Sequence, residues 1–371
     1  MRAAVMPVYI RTTAELEARI PTIAASPSVA LDTEFHPERA YTPRLMLLQL
    51  RPARGDSLLI DPLDGVDLGL LSTALAGATL LIHGGTTDLS LLALHTGLQA
   101  KRVVDSQLAA AFCGLGWPRR LQDLALTVLG RILTKQCTVS DWSRRPLSPD
   151  QLRYAADDVE LLHELTHALL ARVTALGNLA WFEAAQAEAA AAALVPADPE
   201  RAWRRVPGAH LLDDAERTAL QALAAWRERR ARESDQPTHQ ILVDAIMFDI
   251  ARRRPASIQS LRENRRMHAG VWKLHGDEIL ERLRATEGAE PPAPLRRGPR
   301  VEALRLAARI AAASRGMEGD LLLTDDELLA IDAPDGTRSW RRDALGPEFD
   351  QFVEGSTRID AHGRLVQGTG S

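Results

Sequence analysis

The 371 residues are 46% hydrophobic and 25% charged with a formal net charge of −4, the balance of an ordinary soluble protein of two or three domains. Two cysteines, Cys113 and Cys137, exclude a disulfide framework. No apolar run reaches the length of a bilayer span and no secretory leader pattern opens the chain, so a cytoplasmic protein without membrane contact is expected. The charge is uneven: residues 1–200 hold 17 Lys+Arg against 22 Asp+Glu, residues 201–300 hold 20 against 14, and residues 301–371 hold 8 against 13. The middle block alone is basic, which suits a nucleic-acid backbone and equally suits solvated helix faces.

Residues 1–26 read as a lead-in helix over Ala14–Ile20, capped by Thr12 or Thr13 and closed by Pro21. Val29-Ala-Leu-Asp-Thr-Glu-Phe35 follows as a buried strand. Side chains alternate along a strand, so Asp32 and Glu34 share one face and Thr33 takes the other. Two carboxylates side by side repel, which fits either a hard divalent cation between them or a strand end running into water. Further strands are expected at 44–50, 57–61, 79–83 and around Val103 and Val104, the first two of these as an antiparallel pair. Helices are expected at 106–113, 121–129 and from Pro149 to about Val173. Strands first and helices last describe an α/β domain with a mixed sheet.

Asp88 falls in the first turn of the helix after the fourth strand, where it either joins a site or complements the helix dipole. Tyr154 and Asp158, four apart, share a face of the helix that Ser148 and Pro149 start. A helix face with a phenol and a carboxylate, turned toward a strand face with two carboxylates, would build one acidic site. Asp157 lies about 100° from Asp158 around the helix and reads as surface. His163-Glu-Leu-Thr-His167 also satisfies the zinc-protease pattern, but Leu170 and Val173 stand where its longer form needs Gly and His. Its histidines are expected roughly opposite the Tyr154 and Asp158 face. His36 and His83, at strand ends, read as structural side chains. Trp142, Arg144 and Arg145 either meet substrate or anchor their loop.

Five stretches together carry a family resemblance: Leu31-Asp-Thr-Glu-Phe35, Ile82-His-Gly-Gly-Thr-Thr-Asp-Leu89, Asp105 to Gly114, Asp141-Trp-Ser-Arg-Arg-Pro-Leu-Ser148, and Tyr154-Ala-Ala-Asp-Asp158. In this order they resemble the motifs of bacterial ribonuclease D, a DEDD exonuclease family of ribonuclease H-like fold in its tyrosine-type branch. The resemblance implies a 3′–5′ exonuclease domain over residues 1–195. It implies Asp32, Glu34, Asp88 and Asp158 as ligands of two divalent cations, Mg²⁺ or Mn²⁺, with Tyr154 orienting the attacking water. It also implies an exoribonuclease that releases nucleoside 5′-monophosphates, acts on tRNA precursors and other structured RNA 3′ ends, and works as a monomer. A DNA exonuclease and an inactive nucleic-acid-binding protein are the alternatives.

An alanine-rich run from Ala184 leads to a linker at 195–200, beyond which strand signals vanish. Residues 209–288 read as four or five short helices with Trp226 in their core, and they resemble the HRDC domain; Arg252, Arg253 and Arg254 are candidates for phosphate contact. After a proline-rich linker at 291–300, residues 301–371 are expected to form a second small helical, HRDC-like unit, with a capped helix start at Thr324–Leu328.

Overall fold

The computed structural model describes residues 7–36, 39–133, 140–264, 266–295, 298–323 and 339–368. The chain divides into two compact units, one formed by Met1–Phe35, Leu45–Val195 and Pro299–Ser371, the other by His36–Arg44 and Pro196–Gly298.

The first unit is built on a six-stranded sheet of β1 (Val8–Ile10), β2 (Ser28–His36), β3 (Arg44–Pro52), β4 (Leu58–Ile60), β5 (Thr79–Ile82) and β6 (Arg102–Asp105), in the order β1-β4-β3-β2-β5-β6. The expected β3–β4 pair is antiparallel, whereas β1–β4, β2–β5 and β5–β6 are parallel, so the sheet is mixed. In β2 the consecutive residues Val29, Ala30 and Leu31 are all buried, because both faces of this central strand are covered. Val29 and Leu31 pack with Leu89 and Leu92 of the Thr86–Thr96 helix. Ala30 and Leu81 pack with Val159 and Leu162 on the opposite face.

Two local expectations change. Pro21 sits in the first turn of a second short helix, Ile20–Ala24, where its missing N–H costs nothing, rather than closing the helix Thr13–Glu17 that Thr12 caps. The long helix from Pro149 is two helices, Pro149–Glu160 and Leu162–Ala175, meeting at Leu161.

The described residues of 299–368 do not stand apart as the expected third unit. The Pro299–Ala313 helix puts Val301, Leu304, Ala307, Ala308, Ala311 and Ala312 into one cluster with Phe112, Leu165, Leu169 and Phe182 of the exonuclease portion. Its alanines leave no projecting side chain to hold the backbones apart. The segment also holds a hairpin, Thr357–Ile359 with Leu365–Gln367, where helix was expected. The capped start at 324–328 lies outside the described residues.

The second unit contains helices Asp214–Ser234, Thr238–Ile241, Asp244–Arg253, Ile258–Arg262 and Ala269–Arg284 around a core of Trp203, Leu223, Trp226, Met247 and Ile279. Trp226 is core as expected, and its indole N–H donates to Glu278 at 2.6 Å. Arg254 and Arg284 line a cavity of about 840 Å³ with Arg252 and Arg253, and neither Arg254 nor Arg284 has a carboxylate partner among the described residues.

Candidate active site

Strand alternation puts Asp32 and Glu34 on the face of β2 that also carries Ala30. The helix Pro149–Glu160 lies across this face. It is started by a capping box between Ser148 and Gln151 with Pro149 in the first turn, and it buries Ala155, Ala156 and Val159. Burial of Val159 against Ala30 and Leu81 leaves the neighbouring Asp158 over the strand's carboxylates. Asp32, Glu34 and Asp158 each offer a carboxylate oxygen, and these atoms lie within 4.8 Å of one another.

The cluster holds its protons tightly. Burial, followed by the charges of Asp88, Asp158 and Glu34, lifts Asp32 well above the usual carboxylate range. Glu34 is pushed up to about 8 by burial and by Asp158 and Asp88. Asp158 is pushed up to about 7, chiefly by burial, with the nearby Tyr154 hydroxyl opposing and Asp157 adding to the rise. No Lys or Arg among the described residues is paired with these acids. Oxygen-only donors crowded together and short of positive charge fit a hard divalent cation, which would relieve the repulsion that raises these values.

Asp88 reaches the site from the other side of the sheet. Thr33, on the opposite face of β2 as expected, donates its hydroxyl to Asp88 Oδ1. Asp88 is buried in the first turn of the Thr86–Thr96 helix, and its charge contributes to the rise of both Asp32 and Glu34. It is not one of the three acids whose oxygens converge within 4.8 Å. Gly85 makes room for it, since a Cβ there would stand 2.9 Å from Asp88 Oδ2 and 3.0 Å from Ile82 Cβ. Gly84, at φ +64°, donates its N–H to Asp105 Oδ1 at 2.8 Å, and the same carboxylate caps the helix Ser106–Ala111. Thr33, Gly85 and Asp105 thus fix the approach of Asp88. Nothing in residue spacing alone marks them for that.

Tyr154 stands one helical turn before Asp158, and burial together with the charges of Asp158, Glu34 and Asp32 raises its pKa above the ordinary phenol value. It stays protonated at neutral pH and acts as a donor. Asp157 is half-buried rather than surface, raised by burial and by Glu160, and it is outside the converging triad. A cavity of about 450 Å³ opens on Asp32, Tyr154 and Asp158, and it is also lined by Gln107, Arg120 and Gln122, which sequence reasoning did not single out. His83 also lines it, but its Nε2 donates to the Arg119 carbonyl at 2.9 Å, its Nδ1 meets Ser106 Oγ at 2.9 Å, and burial pushes its pKa down to about 4. It is a neutral strut for the loop, as expected.

The zinc-protease pattern finds no site. His163 Nε2 donates to the Arg51 carbonyl at 2.8 Å and His167 is exposed. Among the described residues, the acids and histidines that gather for a metal are Asp32, Glu34 and Asp158.

Comparison with known proteins identifies the family. A 3′–5′ exonuclease family model matches residues 7–174 and an HRDC domain model matches residues 216–283. Ribonuclease D of Acidiphilium cryptum is 31% identical over 390 residues, covering 97% of this chain and 96% of that protein. Ribonuclease D of Xanthomonas oryzae pv. oryzae is 39% identical over 262 residues, covering 69% and 70%. The crystal structure of Escherichia coli RNase D, described as an exoribonuclease involved in structured RNA processing, superposes with a TM-score of 0.80 at 25% identity, covering 95% of this chain and 99% of that one. With its mixed-sheet exonuclease domain, acidic cluster and HRDC domain, the chain belongs to the ribonuclease D family of exoribonucleases.

Proposed function

We propose that the chain removes nucleotides one at a time from RNA 3′ ends, releasing nucleoside 5′-monophosphates, with Asp32, Glu34, Asp88 and Asp158 holding two divalent cations, Mg²⁺ or Mn²⁺. The observation that carries this reading is the convergence of three carboxylates within 4.8 Å, their repulsion unrelieved by any basic side chain among the described residues. Such ions, when bound, activate water and neutralise the leaving 3′ oxygen. The chain's own residues do the rest. Asp32, which feels the charges of all three other acids, would hold the ions together with them. Tyr154, a protonated donor beside Asp158, orients the attacking water. The cavity beside them takes the terminal nucleotide, with the amides of Gln107 and Gln122 and the guanidinium of Arg120 available to its polar edges. Precursors of tRNA and other structured RNAs are the proposed substrates, in line with the structured RNA processing described for the Escherichia coli relative.

Tyr154→Phe tests the water-orienting role. It removes one hydrogen bond and no metal ligand, so kcat should fall by roughly 5-fold to 150-fold, the equivalent of about 1–3 kcal/mol. The rise in Tm on adding Mn²⁺ should stay as in the parent. Parental kcat in this variant would make Tyr154 a packing residue.

Protons compete with cations for the cluster. Because Glu34 titrates near 8 and Asp158 near 7, both hold protons at pH 6 that a cation must displace, and both are largely ionised at pH 8.5. The Mg²⁺-induced rise in Tm should therefore be larger at pH 8.5 than at pH 6, and an equal rise at both would count against the cluster as the metal site.

The basic helical unit is proposed to hold RNA phosphates at the arginine-lined cavity. Arg254 adopts φ +43°, so Asn, which tolerates the left-handed region, is the suitable replacement. Arg254→Asn with Arg284→Ala should lower the slope of log affinity against log salt by about 1.4–1.8, at about 0.7–0.9 per lost phosphate contact. An unchanged slope would remove this face from the RNA path.

A further inference from the structure

Arg145 is fully occupied inside the protein. Its Nη1 donates to the carbonyls of Trp142 at 2.7 Å and Arg144 at 2.8 Å. Its Nη2 donates to the Met46 carbonyl at 2.8 Å and to Asp61 Oδ1 at 2.7 Å, and its Nε donates to Asp61 Oδ2. All five N–H bonds of the guanidinium are thereby satisfied, which leaves none for a substrate phosphate. Asp61, with a side chain 0% exposed, also accepts from the Tyr9 hydroxyl and from the Leu63 N–H at 3.0 Å. Burial alone would raise the Asp61 pKa, but the bonds from Arg145 and Tyr9 hold it below the usual range, so the pair stays ionised. This clamp ties the loop around Trp142 to β3 and to the end of β4. A buried, bidentate ion pair is costly to form, and a loop merely needing an anchor would be held as well by apolar packing.

The loop delivers Trp142. Its side chain is 4% exposed, packed among Met46, Leu47, Leu59 and Ala155, and its ring centre lies 6.1 Å from that of Tyr154 with the planes at 40°. Trp142 is thus the aromatic wall beside the phenol. We propose that Trp142, held by the Arg145–Asp61–Tyr9 clamp, is a positioning residue that fixes the ring of Tyr154 for its role toward the attacking water. The inference rests on the reading of Tyr154 given above. A displacement of about 1 Å at the reacting geometry is enough to slow catalysis by about 100-fold. A wall that rotates or recedes would move the phenol by that order.

A double-mutant cycle on the full chain separates this role from simple stability, with Trp142→Leu, Tyr154→Phe and the pair assayed on single-stranded RNA with Mn²⁺. Trp142→Leu should lower kcat at least about 5-fold with KM within about 2-fold and with the Mn²⁺-induced rise in Tm retained. Trp142→Phe should recover most of the rate. On the Tyr154→Phe background, Trp142→Leu should change kcat by less than about 2-fold, because the residue it positions no longer carries a hydroxyl. An equal slowing in both backgrounds, or no slowing in the Tyr154 parent, would overturn the proposal. Parental kcat in Tyr154→Phe would instead sink the earlier reading of Tyr154, so the two failures are distinguishable. If Trp142→Leu does not fold, Trp142→Met, which also removes the aromatic wall, is carried through the same cycle and read by the same criterion, equal slowing or none against slowing confined to the Tyr154 parent.

Discussion

Asp32→Asn is expected to abolish cleavage while leaving the fold intact. Asparagine keeps the shape of the side chain and drops the charge on which both proposed cations depend. Several kcal/mol of charge stabilisation disappear with them, a loss of about 10³-fold or more in kcat. The stability change should have the opposite sign. Burial and three neighbouring acids raise the Asp32 pKa, so its ionised form is costly in the folded protein. A folded-state pKa above the unfolded one means that stability is lost as pH climbs between the two, and the neutral asparagine escapes that loss. In EDTA at pH 8 the variant should melt at or above the parental Tm. Appreciable Mg²⁺-dependent activity in the pure variant would remove Asp32 from the metal site. A Tm well below the parent would show that its carboxylate has a structural duty.

A chain ending at Gly298 is expected to fail to fold, even though it retains every proposed metal ligand. Leu304, Met317, Leu322, Leu345 and Phe349 are buried in one cluster with Phe112, Leu165 and Phe182. At about 1.5–3 kcal/mol for each large apolar side chain, their removal costs on the order of 10 kcal/mol, comparable to the whole stability of a typical domain. Polar ties go with them. Asn178 Nδ2 donates to the Phe112 and Arg315 carbonyls at 3.0 Å, the Gly116 N–H donates to Glu318 Oε1 at 2.9 Å, and the Trp340 indole N–H donates to Glu188 at 3.0 Å. The Gly116 bond matters for function as well, because its loop leads to Arg120 and Gln122 at the cavity wall. The truncated chain should be insoluble or lack a cooperative melt. A soluble product with the parental Tm would contradict the shared core.

What could be read from the sequence followed the strength of local periodicity. The apolar runs of β2 to β6 and the Ser148-Pro149 helix start are strong signals, and with the alternation along β2 they are enough to put Asp32 and Glu34 on one face and to turn Tyr154 and Asp158 toward it. Strand β1, only Val8–Ile10, is too short for alternation to be seen, and its pairing with β4 is fixed by tertiary contact alone. The break at Leu161 carries no Gly or Pro and was equally invisible. Residues 299–313 have a helical period, but a period does not say which neighbour an alanine face meets. The link from Thr33 to Asp88 spans two elements 55 residues apart, so no window of sequence contains it. The Trp142–Arg145 stretch reads equally as substrate contact or anchor, and the occupied guanidinium decides for the anchor at Arg145.

The most direct test digests a tRNA precursor and a single-stranded RNA, each labelled at the 3′ end, beside a DNA strand of matching sequence, with Mg²⁺ and with EDTA. The expected result is a labelled nucleoside 5′-monophosphate as the first product from both RNAs, formed faster than from DNA and absent in EDTA. Label appearing first in longer fragments, products ending in 3′-phosphate, or cleavage that survives EDTA would contradict a metal-dependent exonuclease acting from the 3′ end.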